Sequence, residues 1–213
     1  MTRIGLLGGS FNPAHRAHRR LSLAALEALG LDEIWWLVSP GNPLKPVKGM
    51  APLAARFASA RGMARHAPIR ITAIERELGT IYTAETLAKL VQLYPHHDFI
   101  WLMGADNLAQ FHRWRDWRKI AQTMPIAVAT RPGYDAKALR APAWGWLRCF
   151  VRPAAMAKDW TLWRPPALVL LSTPPDPTSA TAIRAANPDW HETATLSSQQ
   201  RGLRDGVTRK PVT

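Results

Sequence analysis

Apolar residues follow two rhythms along this chain: short unbroken runs, and longer stretches spaced by three and four. Residues 4–7, Ile4-Gly5-Leu6-Leu7, form an unbroken run, as in a strand buried on both faces. Ala17, Leu21, Ala24, Ala25 and Ala28 then fall at helical spacing, and Gly30 is a natural stop. The pattern predicts a strand at 34–38, a helix at 54–66 and a strand at 69–74. A helix follows at 83–93, capped by Thr83 with Glu85 in its first turn. Asn12-Pro13 likewise reads as a cap followed by a first-turn proline. A strand is predicted at 99–103, with Gly104-Ala105-Asp106 as its exit loop. Helical stretches at 107–114 and 117–123 and a strand at 126–129 come next. Residues 134–166 read as irregular, with several prolines and four of the ten tryptophans. A strand at 167–171 and a short helix at 179–186 close the pattern.

Strands alternating with helices predict an α/β fold, a Rossmann-like doubly wound parallel sheet with helices on both faces. Ligands of such sheets bind at the carboxyl ends of the strands. Residues 1–186 are expected to form a single domain. Residues 187–213 are expected to be a polar tail of uncertain order, since they have almost no apolar periodicity.

Composition narrows the classes. A hydrophobic share of 47% and a charged share of 20% over 213 residues describe a soluble globular protein. No apolar run approaches the ~20 residues that a bilayer requires, so no membrane partner is expected. The chain enters its first strand without the features of a signal peptide, and Cys149 is its only cysteine. A cytoplasmic protein is expected. The 28 Lys and Arg against 15 Asp and Glu leave a net charge of +13. These cations are scattered, with no basic block interleaved with aromatics. They suit an anionic ligand carrying several phosphates, and no nucleic-acid partner is expected.

The densest chemistry lies in Gly8-Gly9-Ser10-Phe11-Asn12-Pro13-Ala14-His15-Arg16-Ala17-His18. Glycines at a strand exit let backbone approach a ligand and donate N–H groups to phosphate. His15 and His18, three residues apart, share one face of a helix. Two imidazoles beside bare amides would meet the charge that builds on a phosphoryl group in transfer. This string resembles the HxGH-bearing signature of the nucleotidylyltransferase superfamily, with Ala17 where that pattern usually has Gly. Class I aminoacyl-tRNA synthetases share a related histidine motif but are far longer, and no KMSKS-like loop occurs here.

Five further segments, in order, resemble the nicotinate mononucleotide adenylyltransferases of bacterial NAD synthesis. They are Ser39-Pro40-Gly41-Asn42-Pro43-Leu44-Lys45, Ile81-Tyr82-Thr83-Ala84-Glu85-Thr86-Leu87, the stretch 99–106 with Trp114 beyond it, Thr130-Arg131-Pro132-Gly133, and Thr178-Ser179-Ala180-Thr181-Ala182-Ile183-Arg184. The resemblance implies transfer of the adenylyl group of ATP to nicotinate mononucleotide, giving deamido-NAD and pyrophosphate; the alternatives are nicotinamide mononucleotide or another phosphorylated acceptor, or a non-catalytic nucleotide- or RNA-binding protein. It implies His15, His18 and Arg184 as the catalytic groups, the histidines on the α- and β-phosphates. Gly8, Gly9, Ser10, Phe11, Gly104, Asp106, Ser179, Thr181 and Ile183 are implied at ATP, and Lys45, Thr83, Trp114 and Arg131 at the mononucleotide. Magnesium is expected on the ATP phosphates, with no protein ligand assigned. Some of these residues have plain structural roles open to them. Lys45 can equally be a surface lysine, Trp114 can serve packing, and Asp106 can cap the next helix. The tail lacks the closing helix usual in the family, which leaves any homo-oligomer contact open.

Overall fold

A computed structural model describes residues 1–41, 49–130, 135–174, 176–192, 194 and 202–212. Among them the apolar runs become the strands β1 (Thr2–Gly9), β2 (Glu33–Val38), β3 (Ile69–Thr72), β4 (His97–Gly104), β5 (Ile126–Thr130), β6 (Val151–Arg152) and β7 (Leu168–Ser172). They form one sheet in the order β3-β2-β1-β4-β5-β7-β6. β4 pairs in parallel with β1 and β5, and β7 with β5 and β6. Parallel neighbours need crossovers, and the segments between strands carry the helices α1 (Arg16–Leu29), α2 (Leu53–Met63), α3 (Ile74–Leu78), α4 (Thr83–Leu93), α5 (Ala105–Gln110), α6 (Trp117–Thr123), α7 (Asp135–Leu139) and α8 (Pro142–Leu147), while α9 (Ala180–Ala186) follows β7. The order grows one way from β1 and the other way from β4, so the pair marks the switch point of a doubly wound sheet. No helix among the described residues is long and apolar enough to cross a membrane.

The chain divides into two compact units. The first comprises Met1–Leu7, Leu21–Ile34 and Tyr82–Pro175. The middles of β1, β4, β5 and β7 form its core, with Ile4, Leu6, Ile100, Val128 and Val169 all solvent-free or nearly so. Gly5 is glycine because a Cβ there would come within 2.8 Å of methyl groups of Leu31 and Leu102. Trp160, 1% exposed, satisfies its indole by donating to the Leu29 carbonyl at 3.1 Å.

Three expectations for this unit are corrected. The stretch 134–166 is not irregular but holds α7, α8, β6 and 3-10 turns at Arg148–Phe150 and Ala154–Leu162. Most of these elements are only one or two turns long, too short for a 3.6 period to show against the prolines that punctuate them. Gly104-Ala105-Asp106 is not a loop, because α5 starts at Ala105. Thr83 is the first residue of α4 rather than its cap. Tyr82 takes that position in extended backbone and has no side-chain cap bond.

The second unit comprises Gly8–Arg20, Trp35–Ile81 and Asp176–Thr213. Here β3 stops at Thr72, two residues short of the expected strand, because a carboxylate takes over its backbone. Asp205, 3% exposed, accepts from the Thr72 hydroxyl at 2.9 Å and from Ala73 N–H at 2.7 Å. Its other oxygen accepts from the N–H groups of Val207 and Thr208 at 2.8 and 2.9 Å. The described part of the polar tail is thus packed: Leu203 and Val212 are buried, and a Cβ on Gly206 would lie 2.8 Å from the Ile71 carbonyl. Lys210 adds an exposed ion pair to Glu77 at 2.7 Å.

Removing the Asp205 carboxylate strands several buried donors, each costing roughly 1–3 kcal/mol. Asp205→Ala is therefore expected to lower the thermal midpoint by about 5–10 °C, at about 2–4 °C per kcal/mol for a chain of this size. Thermal unfolding followed by circular dichroism checks this; a shift under about 1 °C would show the tail to be idle.

Candidate active site

Each segment singled out in the sequence follows a strand end or opens a helix. In the second unit β1 delivers Gly8 and Gly9, and the Gly9 carbonyl accepts from Ser39 N–H at 3.0 Å. The chain then turns sharply. Phe11 has φ +46°, in the left-handed region that an aromatic residue seldom occupies. Burial holds it there: the ring is 1% exposed, stacks on Trp36 at 4.9 Å and 16°, and lies 4.8 Å from the His18 ring. A Cβ on Gly9 would press on this ring at 3.3 Å.

Asn12 and Pro13, joined by a cis peptide, are not the cap and first turn of α1. A cap must spend its side-chain oxygen on the helix's own N–H groups. Asn12 instead accepts from Ala51 N–H at 3.2 Å and donates to the Gly49 carbonyl at 2.8 Å. The helix starts at Arg16, with His15 just before it. His15 N–H donates to Nδ1 of His18 at 3.2 Å, and His18 N–H donates back to the His15 carbonyl at 3.0 Å. The rings lie 3.9 Å apart at 42°. An imidazole that accepts at Nδ1 carries its proton, when neutral, on Nε2. Ala17, between them in the chain, is buried.

The far end of the sequence reaches the same loop. Ser179 caps α9, its hydroxyl accepting from Ala182 N–H at 3.2 Å, as its sequence position predicts. Arg184, half-buried, donates to the Asn12 carbonyl and, at 3.4 Å, to the Thr181 hydroxyl. Ile183 is half-buried beside it, while Ser179 and Thr181 are exposed. Asp176 fastens the approach to α9. Its carboxylate is 3% exposed, accepts from the N–H and hydroxyl of Thr178, and pairs with Arg16 at 2.9 Å and Arg20 at 3.3 Å. The Thr178 bonds, with the Arg16 guanidinium, hold this carboxyl below the usual range.

The structure therefore gathers Gly8, Gly9, Ser10, Phe11, His15, His18, Ser179, Thr181, Ile183 and Arg184 in one unit. Thr83, Gly104, Asp106 and Trp114 belong to the other. There, Trp114 is half-buried, edge-on to Phe111 at 5.5 Å and to Trp101 at 6.3 Å. The Arg115 guanidinium lies 4.5 Å over the Tyr82 ring, next to Thr83. The Asp106 carboxylate folds back over Gly104, into the space a Cβ there would take. Lys45 and Arg131 lie outside the described residues. Among the described residues no three His, Cys, Asp or Glu side chains gather as a metal site.

Sequence reasoning missed Trp36, Asp176, Arg56 and Glu75. Trp36 reads only as one more apolar strand position, and Asp176 as a turn residue. Arg56 and Glu75 form a buried pair, 1% and 7% exposed. Burial pushes the Glu75 carboxyl up to about 7, against the Ser39 hydroxyl and Arg56, which hold it down. Burial likewise lowers Arg56 to about 10.

Comparison with known proteins adds the following. The cytidylyltransferase-like family model matches residues 6–186. A protein of Erythrobacter litoralis named "Probable nicotinate-nucleotide adenylyltransferase" is 62% identical over 188 residues, covering 88% of this chain and 86% of that one. A protein of the same name from Cereibacter sphaeroides is 52% identical, over 85% of this chain and 96% of its own length. Among solved structures, the Plasmodium falciparum nicotinic acid mononucleotide adenylyltransferase complexed with NaAD aligns at a TM-score of 0.64 and 15% identity, covering 93% of this chain and 97% of that one. That likeness speaks for the fold.

The Asp176 contacts give a pH signature. A carboxyl depressed in the folded state stabilises it above the ordinary value of 3.8 and loses that contribution as pH falls toward the folded value. The paired arginines are 58% and 46% exposed, so solvent screens much of the attraction. Asp176→Asn is expected to lower the thermal midpoint by about 2–4 °C at pH 7. Melting curves across pH should show the gap to wild type narrowing below pH 3.8; a constant gap would mean that the charge contributes nothing.

Proposed function

Because this chain belongs to the nicotinate-nucleotide adenylyltransferases of the cytidylyltransferase-like family, we propose that it joins ATP and nicotinate mononucleotide into deamido-NAD and pyrophosphate, a step of NAD biosynthesis. The observation that carries this reading is the seat of Arg184 on the Asn12 carbonyl, three residues before the paired rings of His15 and His18. A cation and two imidazoles so placed suit a polyphosphate undergoing transfer.

The nucleophile needs no help from a base, because a phosphate monoester is already ionised at neutral pH. One of its oxygens forms a bond to the α-phosphorus of ATP. The bond from that phosphorus to the bridging oxygen breaks, and pyrophosphate leaves with the electron pair. The chain's part is positioning and charge. The proton on Nε2 of His18 is a donor to a phosphate oxygen, and His15 serves beside it. The backbone of Gly8, Gly9, Ser10 and Phe11 lines the nucleotide. Ser179, Thr181 and Arg184 hold the departing pyrophosphate, with Ile183 behind them. ATP enters as its magnesium complex, the ion being carried by phosphates and water as part of the substrate. The roles of Gly104 and Asp106 at ATP, and of Lys45, Thr83, Trp114 and Arg131 at the mononucleotide, rest on the resemblance of their segments. The reading places the enzyme in the cytoplasm and requires no macromolecular partner.

Pyrophosphate release from ATP, measured against a panel of acceptors, tests the assignment. Nicotinate mononucleotide is expected to exceed nicotinamide mononucleotide and phosphopantetheine by at least ~10-fold in kcat/KM, and preference for another acceptor would overturn it. His18→Ala is expected to cut kcat at least ~10²-fold with the thermal midpoint retained. Near-normal turnover in that variant would remove His18 from the chemistry.

A further inference from the structure

One cation inside the second unit is not used by the mechanism above. Arg56 lies on α2 with 1% exposure, where an unpaired guanidinium would be costly. Its donors go mainly to backbone carbonyls that belong to separate stretches of chain. Nε donates to the Ala51 carbonyl at 2.9 Å, and Nη1 to those of Ser10 at 2.8 Å and Ser39 at 2.7 Å. Nη2 donates to the Pro40 carbonyl at 3.3 Å. Glu75 supplies the opposing charge from α3 and is itself tied to the Ser39 hydroxyl.

These contacts have a directional consequence. In a trans peptide the C=O and the following N–H point in opposite directions. The peptide linking Ser10 to Phe11 is trans, as is the one linking Pro40 to Gly41. Drawing the Ser10 carbonyl inward onto Arg56 therefore turns the Phe11 N–H outward, and drawing in Pro40 does the same for Gly41. The Phe11 amide belongs to the loop assigned to the nucleotide, and its backbone is held in the left-handed region.

We propose that Arg56 is a positioning residue for nucleotidyl transfer: its buried guanidinium clamps the loop after β1 to the loop after β2 and thereby aims the Phe11 amide at the nucleotide's phosphates. This rests on the reading of 8–18 as the ATP loop. Lysine cannot replace the arginine, because an ammonium is a compact point charge while the guanidinium reaches four carbonyls in a fixed planar fork.

The test compares full-length wild type and Arg56→Lys, each assayed well below its thermal midpoint. Arg56→Lys is expected to lower kcat at least ~30-fold and to raise KM for ATP, with KM for the mononucleotide within threefold of wild type. Arg56→Lys at wild-type kcat and KM for ATP, or with both KM values raised alike, would overturn the clamp. Should Arg56→Lys not fold, Arg56→Ala with added methylguanidinium takes its place. At least ~10-fold recovery of the lost kcat is expected there, and no recovery would overturn the proposal. ATP affinity by isothermal titration, with no acceptor present, is expected to fall at least ~10-fold in Arg56→Lys. That measurement separates the two claims: wild type that binds ATP but uses no mononucleotide refutes the acceptor, and variants that bind ATP as wild type does refute the clamp.

Discussion

Carbonyl groups that turn away from water must find donors, and around the loop after β1 much of that demand converges on the guanidinium of Arg56. The carbonyls of Ser10, Ser39, Pro40 and Ala51 all end on it. A buried cation is expensive, and a buried carbonyl without a donor is expensive too. Each cost is met by the other. Glu75 answers the guanidinium from α3, and Arg56 together with the Ser39 hydroxyl opposes the burial that pushes its carboxyl up to about 7. The strained conformation of Phe11 survives in this setting because its ring is locked against Trp36 on one side and its carbonyl neighbour is tied down on the other.

The two histidines are placed by backbone polarity as well. His15 and His18 are spaced for one helix face, yet only His18 is helical, and the bond from His15 N–H to the His18 ring sets where each imidazole lies. That bond also decides the tautomer, so backbone geometry at residue 15 determines which nitrogen of residue 18 carries the proton. At the other end Arg184 is drawn in by a carbonyl, that of Asn12, whose side chain is in turn anchored on Gly49 and Ala51. Much of what organises this site is therefore backbone polarity answered by side chains.

This explains which parts could be read in the sequence. The alternation of strands and helices follows from the apolar runs, and a short helix opened at Ser179 with Arg184 five residues on follows from local chemistry, so both were legible. The functional class was legible through the string at 8–18, whose residue types together leave few other uses. What escaped was non-local. Arg56 looks like one more arginine in an alanine-rich helix until Ser10 and Pro40 are seen around it. Asp205 looks like part of a polar tail, though Thr72 and Ala73 make it the partner that ends β3. The one- and two-turn helices between 135 and 162 lack the length to register a period. Asn12-Pro13 misled because a capping residue was followed by a proline where the side chain is spent on another segment.

The unit that carries the histidines is assembled from three separate stretches of chain, Gly8–Arg20, Trp35–Ile81 and Asp176–Thr213. The order of synthesis therefore matters. The glycines and histidines leave the ribosome early, but the arginine that completes their loop is made more than 160 residues after His18. A chain that ends before Arg184 carries the whole motif at 8–18 yet lacks the guanidinium that binds the Asn12 carbonyl, so the loop is finished only when the last helix has been made.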